Sequence, residues 1–258
     1  MPAPTGPWVK RLSRGSEGPV PLFCFPYAGG GAGAFRSWSR LLAPEVGLYA
    51  IQLPGREARI AEPALGSLDP IVEQLTPALA DEVDGAAGGS PYVFFGHSLG
   101  ALVAFAVCRE FHRDGVPLPE KLVASGARAP HIPQRRPPIH ALPDQEFIDE
   151  LRRLEGTPEE ALGNAELMEL LIPMLRADSA VSETYEHKEG PPLPCPIVAF
   201  GGEDDEDVLV DDVTAWSEHT SAGFEHRIFP GGHFFVHTHE ADVLKELTKH
   251  LGHAHRSP

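Results

Sequence analysis

The chain is short of cysteine, of basic charge and of long apolar runs, and each shortage removes a class of function. Its three cysteines, Cys24, Cys108 and Cys195, are odd in number, widely spaced and set in apolar segments. That pattern suits small core residues in a reducing compartment better than a disulfide framework or a thiolate metal centre, and no metal or cofactor is expected. Lysine and arginine total 21 against 37 aspartates and glutamates, a formal charge of −16. Nucleic acid, whose phosphates demand a basic face, is therefore not an expected partner. No apolar stretch reaches the roughly eighteen residues of a membrane span, and no basic segment leads into an apolar run at the N-terminus. A cytoplasmic protein with no membrane attachment is the expectation.

What is present is ordinary for a globular chain: 258 residues, 42% apolar and 22% charged. That length has room for one α/β domain with an ample core, and we expect one domain bearing an insertion. The stretch Tyr92-Val93-Phe94-Phe95-Gly96-His97-Ser98-Leu99-Gly100 organises the rest. Four apolar or aromatic residues in a row read as a strand covered on both faces, as a central parallel strand must be. Gly96-His97-Ser98-Leu99-Gly100 then matches G-x-S-x-G, the nucleophile elbow, in which serine occupies a strained strand-to-helix turn. The apolar run from Ala101 to His112 supplies the helix that must follow. With that context, a catalytic Ser98 outweighs an ordinary βα turn whose serine merely caps a helix.

Around this stretch, strands are expected at 21–25, 48–53 and 121–126 and helices at 34–43 and 68–84, with residues 1–18 an extended arm. Such alternation implies a mostly parallel central sheet with helices on both faces. The rhythm breaks from about 129 to 194, where a proline-rich link precedes two helical stretches, Asp144 to Glu155 and Asn164 to about Tyr185. Pro173 is expected to kink the second. This segment reads as a helical lid inserted over the C-terminal strand ends, where open α/β sheets bind ligands. Strands resume at 195–200 and 224–229, and a last helix covers 241–251.

The glycine run after the first strand fits a dinucleotide fingerprint, Gly29-x-Gly31-x-x-Ala34. However, the next strand runs into Leu53-Pro54-Gly55-Arg56 without the acidic residue that fingerprint requires. Acyl transfer offers a better use, because a second backbone N–H must face the developing oxyanion and comes from the loop after an early strand. Ala28 is the expected donor, with Tyr27 as runner-up, and Leu99 supplies the first.

The base must sit on a loop after a late strand, and among thirteen histidines His233, flanked by glycines, satisfies this. His97 points away from Ser98 on a tight turn and reads as packing. His131, His140, His187, His237 and His239 read as surface residues, and the tail histidines His250, His253 and His255 lack the acidic or cysteine partner of a metal set. The triad acid must accept Nδ1–H of His233. Asp204, Asp205 and Asp207 compete for that role, within an acidic run otherwise expected to be solvated.

Phe25-Pro26-Tyr27-Ala28-Gly29-Gly30, Leu53-Pro54-Gly55-Arg56, the elbow, Ser125-Gly126-Ala127-Arg128-Ala129-Pro130 and Pro230-Gly231-Gly232-His233-Phe234-Phe235 together resemble the type II thioesterases of polyketide and nonribosomal peptide synthesis. The resemblance runs from about residue 20 to 250 and implies an α/β-hydrolase fold. In that family the acid sits in Gly-x-x-Asp-Pro. Gly202-Glu203-Asp204-Asp205 keeps the spacing, while Glu206 replaces the proline, which puts Asp205 ahead of its two competitors. The implied activity is hydrolysis of acyl groups from the phosphopantetheine arm of acyl or peptidyl carrier proteins by Ser98, His233 and Asp205, clearing stalled synthases. Tyr27 and Phe234 are candidates for the acyl pocket. Because carrier proteins are acidic, a basic patch of Arg128, Arg135 and Arg136 near the lid entrance is expected to offset the chain's charge. A carboxylesterase or lipase, an acyltransferase, or a non-catalytic acyl-binding protein are the alternatives on the same scaffold.

Overall fold

Five successive six- and five-residue segments are buried almost end to end, and they form the centre of one sheet. The computed structural model describes residues 7–13 and 20–251. The strands are β1 (Val9–Arg11), β2 (Val20–Phe25), β3 (Val46–Ile51), β4 (Val93–His97), β5 (Lys121–Ser125), β6 (Ile197–Gly202) and β7 (Phe224–Phe229). Their order across the sheet is β1-β3-β2-β4-β5-β6-β7. All neighbours pair parallel except β1 with β3. Continuous Val, Leu, Phe and Ala in β2 to β6 is what burial on both faces requires, and β7, at one edge, is mostly exposed.

Two apolar layers flank the sheet. On one face Phe23, Phe25 and Phe94 pack against α2 (Leu68–Ala87) and α3 (Leu99–Asp114). On the other, Cys24, Phe95 and Phe200 pack against Trp38 of the short α1 (Trp38–Leu41) and against Val243, Leu244 and Leu247 near the C-terminus. All three cysteines are buried and free.

Between β5 and β6 lie α4 (Asp144–Arg153), α5 (Glu159–Leu162) and α6 (Ala165–Glu183). They bury a separate small core of Phe147, Leu151, Leu162, Met168, Met174 and Leu175. Asn164 caps α6 by accepting the Leu167 N–H at 3.1 Å, and the helix runs through Pro173. The remaining helices are α7 (Val210–Thr214), α8 (Phe235–Thr238) and α9 (Glu240–His250).

Several local expectations need correction. Part of the expected N-terminal arm is an edge strand, β1, because Val9 to Arg11 register against Ile51 to Tyr49; residues 1–6 and 14–19 lie outside the described residues, as do His253 and His255. The helix expected over 34–43 is a turn of 3-10 helix at Ala32–Phe35 followed by α1. The segment between β5 and β6 holds a third short helix, α5, and α7 and α8 carry too few residues for a periodic signal.

His131 and His187 are not free surface residues. His131 Nδ1 lies 2.7 Å from Nε2 of the buried His219, and the His187 ring packs against both. Burial, together with the charges of His131, His187 and Arg109, pushes His219 down to about 4. An unfolded histidine titrates near 6.5, so between about pH 6.5 and 4 the unfolded chain holds a proton there that the native chain does not. Stability must therefore fall as pH falls through this window, by up to about 3 kcal/mol from this group. Urea unfolding at pH 7 and pH 5 should show the decline, and His219→Gln should flatten it; an equal slope in the variant would refute the assignment.

Candidate active site

The elbow is shaped by backbone contact. Ser98 sits at φ 54° and ψ −120°, a strained setting for a residue with a side chain, costing on the order of 1–3 kcal/mol. The fold holds it there from both sides. The Ser98 N–H donates to the Ser125 carbonyl at 2.8 Å, and the Ser98 carbonyl accepts the Ala101 N–H at 2.9 Å. A Cβ on Gly96 would strike the backbone of Gly100, and one on Gly100 would strike the Phe25 carbonyl oxygen. Both glycines are thus required by the close approach of β2, β4 and α3. Leu99 opens α3, so its amide is among the first helical N–H groups, which have no acceptor inside the helix.

Ser98, His233 and Asp205 form one hydrogen-bonded chain. His233 Nε2 lies 3.0 Å from Ser98 Oγ, and Nδ1 lies 2.7 Å from Asp205 Oδ2. The Asp205 carboxylate is buried, and its other oxygen, Oδ1, accepts the backbone N–H groups of Asp207 at 2.9 Å and Val208 at 3.0 Å. This side-chain-to-backbone turn constrains the loop where Glu206 stands in place of a proline. Of the two competing acids, Asp204 is exposed, and Asp207 pairs with Arg136 and Arg153.

His97 packs behind this chain. Its Nδ1 lies 3.0 Å from Ser125 Oγ, and its ring sits against Tyr27, His233, Phe234 and Phe235. Burial, reinforced by His233 and His237, pushes its pKa well below the ordinary value. It stays neutral and adds no charge beside His233. Tyr27 accepts or donates at 2.9 Å with His237 Nε2 and meets the Phe234 ring edge-on; burial raises its pKa, so it remains a phenol.

Ser98, His233, Leu99, Ala28, Tyr27 and Phe234 all line one cavity of about 780 Å³, a volume in the range of small-molecule sites. The segment between β5 and β6 contributes much of its wall, including Leu151, Leu175 and Ser179. The expected basic patch is present in position but not in charge. Arg135 forms a two-bond pair with Asp212, and Arg136 pairs with Asp207 and Glu206. Arg128 is half-buried and donates to the Ile132 carbonyl at 3.2 Å. Two of the three arginines are neutralised by acids that sequence order separates from them by more than 60 residues, so composition could not reveal the pairing.

Residues overlooked by sequence reasoning are Leu175 and Asp178 of α6, which reach the glycine loop beside Ser98. Neither belongs to a motif. Arg56, the partner of Asp178, ends the Leu-Pro-Gly-Arg segment, and its buried charge could have signalled a need for an acid.

Because the elbow depends on bare backbone approach, Gly100→Ala should displace Ser98 and lower kcat by at least about 100-fold, the cost typical of a misplacement near 1 Å. Thioester hydrolysis by variant protein of unchanged circular dichroism measures this, and a loss under about tenfold would contradict it.

A family model for the thioesterase domain matches residues 20–253. The gramicidin S biosynthesis protein GrsT of Aneurinibacillus migulanus is 41% identical over 244 residues, covering 95% of this chain and 93% of its own length. The linear gramicidin dehydrogenase LgrE of Brevibacillus parabrevis, so named, is 40% identical over 240 residues, covering 92% and 89%. Among solved structures, the type II thioesterase BorB from the borrelidin biosynthetic cluster aligns with a TM-score of 0.85 and 37% identity, covering 95% of this chain and 97% of that one. The match to the family model spans nearly the whole described chain, and the chain belongs to the thioesterase domain family.

Proposed function

We propose that the chain is a type II thioesterase that hydrolyses acyl groups from the phosphopantetheine arm of carrier proteins in polyketide or nonribosomal peptide synthesis. The observation that carries this reading is the Asp205–His233–Ser98 hydrogen-bond chain opening into the cavity beneath the segment between β5 and β6. Ser98 Oγ attacks the thioester carbonyl while His233 Nε2 takes its proton. Asp205 holds Nδ1–H and stabilises the imidazolium. The Leu99 and Ala28 N–H groups receive the oxyanion, each contributing on the order of 3 kcal/mol of transition-state stabilisation. The C–S bond then breaks, His233 protonates the departing thiolate, and water activated by the same histidine releases the acid from acyl-Ser98. Every step uses groups of this chain, the thioester and water.

Residues 129–194 serve in this reading as a lid: their helices carry their own small core and wall the cavity in which the acyl chain lies, alongside Tyr27 and Phe234. The names of BorB and GrsT support a place in synthase pathways. The name of LgrE raises a dehydrogenase, but the glycine loop here is already committed to carboxylates. The Gly29 N–H donates to Asp178 Oδ2 at 2.7 Å and the Gly33 N–H to Glu57 Oε1 at 2.8 Å. Backbone donors that a cofactor pyrophosphate would need are thus already occupied.

The test is hydrolysis of a short acyl group from a phosphopantetheinylated carrier protein by wild type and by Ser98→Ala. Wild type should release free acid, and the variant should lose at least about 10³-fold in kcat. Wild type that is inert there yet cleaves a simple oxygen ester would indicate an esterase.

A further inference from the structure

Arg56 and Asp178 are 122 residues apart in sequence and form a buried pair beside the nucleophile, their side chains 4% and 1% exposed. The guanidinium meets the carboxylate through two parallel bonds, Nη1 to Oδ2 at 2.6 Å and Nη2 to Oδ1 at 2.7 Å. Taking two charges out of water is costly, and an apolar pair of similar volume often stabilises a fold as well or better. Bulk stability is therefore a poor explanation for these residues. Their remaining bonds suggest another.

Asp178 Oδ2 also accepts the Gly29 N–H at 2.7 Å, and Arg56 Nη1 also donates to the Gly30 carbonyl at 3.0 Å. Arg56 is itself steadied, since its carbonyl accepts from Gln52 Nε2 at 3.3 Å. The pair thus grips the loop that follows β2 at two of its peptides, Ala28–Gly29 and Gly30–Gly31. Within that loop the Gly30 N–H donates to the Tyr27 carbonyl at 2.9 Å. A trans peptide carries its C=O and N–H in opposite directions. Fixing the Tyr27 carbonyl toward Gly30 therefore fixes the Ala28 N–H to point the other way, and Ala28 lines the cavity that holds Ser98. The grip reaches that N–H through the peptides it holds. It comes from α6, on which Asp178 and Leu175, whose side chain covers Gly29, are neighbours one turn apart.

We infer that Asp178 and Arg56 are positioning residues for catalysis: they hold the Tyr27–Gly30 turn so that the Ala28 N–H faces the oxyanion, and they make that donor depend on α6 being seated. This rests on the acyl-transfer reading of Ser98. The chain then carries a complete oxyanion site only when the segment between β5 and β6 is docked. An acyl chain in the cavity lies against the same helix, through Leu175, that sets the donor.

Two variants test this with a small acyl-N-acetylcysteamine thioester. Asp178→Asn keeps the shape but removes the charge, and the double variant Arg56→Met with Asp178→Leu removes both charges together, which guards against an uncompensated buried ion. Thermal unfolding identifies the variants that fold. In these, kcat should fall about 10- to 100-fold with KM nearly unchanged, less than the loss from deleting a donor outright. A trifluoromethyl ketone, which adds to Ser98 as a tetrahedral oxyanion, should bind more weakly by the same factor as kcat/KM falls. Folded variants that keep kcat and ketone affinity within about twofold, or that change KM alone, overturn the proposal.

A second measurement needs no variant. Hydrogen exchange on wild type with and without the ketone should show slowing in residues 27–31 and 174–181 together, and slowing confined to the first segment overturns the coupling. Wild type that fails to hydrolyse the thioester, or Ser98→Ala that matches wild type, refutes the acyl-transfer reading itself, and this proposal falls with it. An active wild type with an inert Ser98→Ala leaves the variants to decide the positioning role alone.

Discussion

The approach of α3 to the ends of β2 and β4 leaves no room for a side chain at Gly96 or Gly100, and the strained Ser98 between them is the consequence. A residue at φ 54° persists only where its surroundings over-determine it. Here the surroundings are the whole centre of the sheet: the Phe25 and Pro26 carbonyls occupy the space a Gly100 side chain would need, Ser125 at the end of β5 accepts the Ser98 N–H, and Phe94 packs in the apolar layer that holds α3. The strain at one residue is thus borne by three parallel strands and a helix, and the serine hydroxyl is held in the cavity wall within hydrogen-bond reach of His233.

Most of the polar groups around the elbow are paired, while His97 Nε2 is buried without a partner among the described residues. His97 meets Ser125, Asp205 has both oxygens engaged, and Arg56 and Asp178 satisfy each other and the loop between them. In a low-dielectric site an unpaired charge would shift its pKa and neutralise, while a paired one keeps its charge and direction. The neutral His97 and the Asp205 side chain flank His233 with different consequences. One fills space beside the imidazole, and the other holds its Nδ1.

The acidic character of the chain is expressed locally as ion pairs. Arg135 and Arg136 meet Asp212 of α7 and Asp207, so arginines that look like a docking patch in sequence instead tie the β5–β6 segment to α7 and to the loop after β6. A run of five acids reads as a solvated loop, yet its middle residue is buried and its last is half-buried, because arginines and a histidine arrive from elsewhere in the chain. The N-terminal segment is a parallel case. Three residues without a periodic signal become a strand because β3 offers them an open edge.

What the sequence by itself determined was whatever depends on local chemistry: the parallel sheet, from runs of β-branched and aromatic residues alternating with amphipathic helices; the elbow, from glycines that only a tight turn demands; and Ser98 and His233, from their places after buried strands. What only the tertiary structure decided depends on contacts between residues far apart in the chain. The meeting of Asp205 with His233, which a family spacing favoured without deciding, was settled by the fold, and the neutralisation of the rim arginines and the grip of Asp178 on Gly29 join segments that share no pattern or spacing. A side chain's partner is set by where the folded backbone carries it, and for buried charges that partner, more than the residue type, sets what the group can do.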